Sequence, residues 1–178
     1  MGFDPLGQKD EMHGEPEIDI SVQDPVWEHI DNVENFVEKT VITTLRTAPW
    51  PREASGKDVE LSIVLANDDL LQVFNREYRE KDKPTNVLTF AAIDSDEPQH
   101  GERFHLGDVL LSFQTLEKEC IEQGKFMNDH FCHLLVHGTL HILGYDHIEE
   151  DDANTMETLE IRILEKLGIQ NPYIEAVF

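Results

Sequence analysis

A chain of 178 residues with 39% apolar side chains can bury one core of ordinary size, and a second full domain is not expected. Thirty-seven acidic against 14 basic residues leave a formal charge of -23, which would repel bulk polyanion unless the few cations are concentrated in one place. Only Cys120 and Cys132 occur, both within apolar helical pattern, which argues against a disulfide framework or a cysteine-type zinc site and fits a reducing compartment.

Residues 1 to 16, MGFDPLGQKDEMHGEP, mix Gly, Pro and acids without periodicity and are expected to be a disordered acidic tail ahead of one domain spanning 17 to 178. The start lacks the basic-then-apolar form of a signal peptide, and no apolar run approaches the length of a membrane span. A cytoplasmic protein with no membrane partner is the expectation. IDISVQD at 18 to 24 alternates as a strand, and 26 to 47 sets Val33, Phe36, Val37, Val41 and Leu45 at helical intervals. After a loop at 49 to 56, VELSIVLA at 59 to 66 is a second strand. NDDLLQVFNREYR then supplies an Asn/Asp cap followed by Leu70, Leu71, Phe74 and Tyr78 on one helical face.

That helix ends in a cluster of charge. Arg76, Arg79, Lys81 and Lys83 fall within eight residues, so four of the 14 cations sit just before the strand VLTF at 87 to 90. In an acidic chain this is where an anion would be held, and Arg79 is the best single candidate because a guanidinium can grip a phosphate with two parallel N–H groups. The plainer alternative is a helix C-terminus complemented by positive charge. A polar loop at 92 to 102 leads to a strand at 106 to 113 opened by Gly107 and Asp108, then to a helix at 115 to 124 stopped by Gly124.

From Met127 to Leu143 apolar residues recur at helical spacing, and His137 and His141, four apart, put two imidazoles about one turn apart on one face. A continuing helix would carry His147 about 240° further round from His141. Gly144, however, is placed to adopt a positive φ, so the chain can turn back and bring His147 to the same point. Three neutral imidazoles suit Zn2+ with a fourth position open, and they also suit Ni2+ or Cu2+. His133 shares the face but lies about 12 Å along the axis from His141, so it and His130 are read as core residues or supports behind the ligands. Asp146 is either a turn residue or a partner for a ligand N–H. The spacing H-x3-H-x5-H is that of zinc peptidases, yet the general base that follows their first His is here Gly138, which cannot move a proton. An acidic run from Glu149 to Asp152 precedes a last amphipathic helix, 153 to 167, with Met156, Leu159, Ile163 and Leu167 inward. The expected architecture is an α+β single domain: a small mixed sheet of about four strands packed with about five helices, with a metal site at the end of a central helix.

HGTLHILGYDH, together with YREKDKPTNVLTF and LGDVLLS, resembles the YbeY family of bacterial endoribonucleases that act in ribosomal RNA maturation, and the likeness runs from about residue 18 to 167. The resemblance implies that His137, His141 and His147 bind one Zn2+, that Arg79 is the functional arginine beside it, and that Asp108 matches a characteristic position whose role stays open. It also implies a metal-dependent endoribonuclease of ribosomal RNA maturation and quality control. Its partners would be RNA, chiefly ribosomal RNA, and the small ribosomal subunit or associated proteins, not DNA; Arg76, Lys81 and Lys83 are the expected substrate-binding cations on the ground of their local concentration. The nucleophile would be zinc-activated water or the RNA 2′-OH. Thr89 stands where Ser is common, and the strong negative charge and long tail are not family features. Two other readings stay open: a metallohydrolase of peptides or small substrates, which Gly138 opposes, and a non-catalytic ribosome assembly factor with a structural zinc.

Overall fold

The structure is a computed structural model that describes residues 14–174. Among the described residues four strands form one mixed sheet: β1 (Glu17–Val22), β2 (Asp58–Ala66), β3 (Val87–Ala91) and β4 (Arg103–Ser112). The α-helices described there cover it: α1 (Val33–Thr47), α2 (Asp68–Arg79), α3 (Phe113–Gln123), α4 (Met127–Ile142) and α5 (Glu150–Lys166). The strand order is β1-β2-β4-β3, with β1, β2 and β4 parallel and β3 antiparallel to β4 at one edge. This is the α+β single domain anticipated from the sequence. Of the expected tail, residues 1–13 lie outside the described residues. The remaining three lead straight into β1, with Pro16 buried and Glu15 ion-paired to Arg46 at 2.6 Å.

The helix expected from residue 26 is interrupted. Asp24 accepts the Val26 N–H at 3.0 Å and opens a 3-10 turn over Pro25–His29, and Asn32, with φ 48, restarts the chain as α1. Trp27 fixes this turn: its indole N–H donates to the Ala66 carbonyl at 2.7 Å, and its ring packs against Phe113 and Phe131. A tertiary contact to β2 thus overrides the helical period.

In β4 the alternation of buried residues changes phase, from Phe104 and Leu106 to Val109 and Leu111. The cause is a bulge. Glu60 pairs with His105 and Ser62 with Asp108, so β4 carries one residue more than β2 between these pairs. Gly107 sits in it at φ 149, and a Cβ there would lie 2.3 Å from the Phe90 carbonyl oxygen. The strand therefore begins at Arg103, and Gly107 lies inside it rather than opening it. One face of the sheet packs on α1 and α4 through Leu61, Ile63, Leu65, Val109 and Leu111; the other meets α2 through Ala66, Leu71, Leu88 and Leu110.

Candidate metal centre

The seat of α4 on the sheet depends on Gly138. A Cβ at that position would stand 2.7 Å from Val109 Cγ1 and 3.5 Å from Cγ2 of Thr89 and of Val87, so the helix lies close against β3 and β4. On the flank towards α1, Cys132 faces Thr40 at 3.9 Å, and Phe36 stacks on Phe131. At about 100° per residue His141, nine positions after Cys132, points about 180° away, towards the free edge of β3.

The end of α4 makes the turn that the site needs. Gly144, at φ 105, donates its N–H to the His141 carbonyl at 3.0 Å, and the Tyr145 N–H reaches the Leu140 carbonyl at 3.1 Å. These are the paired bonds of a Schellman cap. The Tyr145 hydroxyl ties the turn to the Pro49 carbonyl at 2.9 Å. His147 is thereby folded back, its ring centroid 5.6 Å from that of His137 and 5.2 Å from that of His141. One ring nitrogen from each of the three lies within 4.8 Å of the others.

The geometry and chemistry of these nitrogens fit a metal ion. The Nε2 atoms of His137 and His141 are 3.0 Å apart, close to the roughly 3.3 Å between two nitrogens bound tetrahedrally at about 2.05 Å. Glu160, buried on α5, contacts His137 Nδ1 at 2.6 Å. An ionised carboxylate only accepts, so Nδ1 carries a proton, and in the neutral ring Nε2 is the nitrogen left with a lone pair for an ion. Burial, then the neighbouring His137 and His147, lower the His141 pKa to about 4, so this ring too is neutral at pH 7. Burial would raise the pKa of Glu160; hydrogen bonds from His133, His137 and Tyr173 outweigh it and hold the carboxyl at about 2.

A second group, His133, His137 and Glu160, also brings ligand-type atoms together. Its rings meet the carboxylate directly at 2.8 and 2.6 Å, which are hydrogen-bond distances with no space for an ion between them. This is a supporting network. His133 thus stands behind His137 through Glu160, while His130 is a core residue bonded to Glu119 at 2.9 Å. Asp146 accepts the Ile148 N–H at 3.3 Å as a turn residue. Asp108 meets His105 Nε2 at 3.3 Å.

Arg79, the last residue of α2, is exposed at the β3 edge. Its guanidinium donates to the carbonyls of Thr89 at 2.9 Å and Tyr78 at 3.2 Å, and lies 4.9 Å over the Phe90 ring. The Thr89 methyl faces Gly138, next to His137, so α4 and the anchor of Arg79 both meet β3 at Thr89. Arg76 is drawn to Asp82 at 3.7 Å instead. Lys81 and Lys83 are exposed on the following loop, which is pinned where the Asn75 amide donates to the Lys83 carbonyl at 2.8 Å.

Residues 21–168 match the family model for endoribonuclease YbeY. The chain belongs to the YbeY family. The endoribonuclease YbeY of Paramagnetospirillum magneticum is 43% identical over 162 residues, covering 89% of this chain and 96% of its own length. That of Agrobacterium fabrum is 40% identical over 163 residues, covering 88% and 94%. The solution structure of TM1509 from Thermotoga maritima aligns over 89% of this chain and 99% of its own at 18% identity, with a TM-score of 0.49. Within this member of the family, sequence reasoning missed Glu160 and Tyr173. Glu160 follows Met156 by four residues and so falls on the inward stripe of α5, where a charged residue is itself a signal of a buried partner.

Proposed function

We propose that this chain is a zinc-dependent endoribonuclease of ribosomal RNA maturation, in which His137, His141 and His147 hold one Zn2+ and Arg79 grips the scissile phosphate. The observation that carries the reading is the convergence of three imidazoles on one point, with His137 Nδ1 turned to Glu160 and its Nε2 to His141. A bound Zn2+ supplies Lewis-acid chemistry that activates water near neutral pH. The protein supplies the rest. Glu160 keeps the His137 proton on Nδ1, and the Schellman cap holds His147 in place. Two carbonyls and the Phe90 ring fix the Arg79 plane while leaving N–H groups free of the five a guanidinium carries, enough to take two phosphate oxygens and offset charge in the transition state. Lys81 and Lys83 add positive charge beside it, and Arg76 joins them when Asp82 releases it.

A net charge of -23 gives long RNA little reason to bind by itself, so recruitment runs through the small ribosomal subunit or its proteins in the cytoplasm. The peptidase alternative loses further support, because a Glu at position 138 would run into Val109 rather than reach the imidazoles.

Metal analysis combined with cleavage of structured RNA tests the proposal. Wild-type protein is expected to carry one equivalent of zinc and to lose cleavage on chelation. His141→Ala should lose both metal and cleavage, whereas Arg79→Ala keeps the metal and loses about 10²–10³ in rate. A 2′,3′-cyclic phosphate product would identify the 2′-OH as nucleophile. Wild-type protein that docks on the small subunit yet cuts nothing would make it an assembly factor.

A further inference from the structure

The Glu160 carboxylate is 1% exposed and its two oxygens are used unequally. Oε1 accepts from His137 Nδ1 at 2.6 Å, whereas Oε2 takes two donors, His133 Nε2 at 2.8 Å and the Tyr173 hydroxyl. His133 cannot hold the carboxylate from a second anchor, because its Nδ1 is buried without a partner. Tyr173 comes from the segment after α5 and is 43% exposed, so its ring is only half committed to the core. Its edge meets the His133 ring at 5.6 Å, and it forms one wall of a cavity of about 300 Å³ that His137, His147, Met156 and Glu157 also line. The hydroxyl end of this side chain reaches the buried carboxylate.

Resting on the metal reading above, we propose that Tyr173 is a positioning residue of the metal centre: its hydroxyl clamps the carboxylate that orients His137. Without that donor, Oε2 keeps only His133, the carboxylate is held less firmly against rotation about its last bond, and the contact to His137 lengthens. The ligand ring then spends less time with Nε2 aimed at the ion. The segment after α5 becomes part of the metal site, although none of its residues is a ligand.

Tyr173→Phe removes the hydroxyl and keeps the ring, which separates this role from packing. Zinc affinity is measured by competition with a chromophoric chelator, alongside the melting temperature of the metal-free protein. The expected result is zinc binding weakened about tenfold, at the lower end for groups that orient ligands, with the metal-free melting temperature unchanged. Zinc affinity equal to wild type in Tyr173→Phe overturns this inference alone. A wild-type protein that takes up no zinc overturns it together with the proposed function.

Discussion

Replacing Gly138 by Ala sets two opposing terms against each other, and the structure decides the sign. In a helix interior Ala is favoured over Gly by about 1 kcal/mol, so propensity alone makes the variant more stable. The added methyl, however, would stand 2.7 Å from Val109 Cγ1. Val109 is fully buried and β-branched, hence stiff about χ1, so it cannot swing aside. Thr89 and Val87 each present a methyl at 3.5 Å and close the sideways route. The helix must lift from the sheet, an overpacking cost of about 1–3 kcal/mol. The net expectation is destabilisation by about 1 kcal/mol, read from urea unfolding of metal-free protein with an unchanged m-value. Truncating the obstacle should reverse the sign: in a Val109→Ala background the same glycine substitution becomes neutral or stabilising, a coupling that the double-mutant cycle isolates. If Gly138→Ala stabilised the otherwise wild-type protein by about 1 kcal/mol, the close seat of α4 on β4 would be refuted.

Gly107→Ala should be far worse, because the clash at 2.3 Å is with a backbone carbonyl oxygen and φ is 149. A loss of about 3 kcal/mol or more and a fall in Tm of roughly 10 °C are expected, and a shift of only a degree or two would contradict the bulge. His130 gives a pH test. Burial lowers its pKa below the usual 6.5 against the opposing pull of Glu119, with Lys125 and His133 adding to the lowering. As the pH falls through 6.5 the unfolded chain therefore takes up a proton that the folded protein refuses, and stability declines. In His130→Gln this contribution disappears, so the stability difference from wild type should shift in the variant's favour between pH 7 and 5. Parallel curves would argue against a buried neutral ring.

The elements were legible because their periods are local. The apolar spacing of α4, the alternation in β2 and the Asn67 cap, which accepts the Leu70 N–H at 3.0 Å, need only neighbouring residues to be read. The order of the sheet needs β2 beside β4, and the interruption at Trp27 needs Ala66; no window of local sequence contains either pair. The site divides along the same line. His137, His141, Gly144 and His147 lie within eleven residues, so their convergence follows from helix geometry and one turn. Glu160 and Tyr173 are set by how α5 crosses α4, and a single inward acid shows only that a partner exists.

Gly138 shows how one residue can be read correctly and explained incompletely. From the sequence it is a general base that is missing. In the structure its direction faces the sheet, so no side chain there could have served the imidazoles, and its smallness is what lets α4 approach the strands. That approach in turn sets how closely His137 and His141 stand to β3 and β4. A bulkier residue would raise the helix and carry the imidazoles with it. The missing carboxylate and the close seat of α4 on the strands thus have one steric cause.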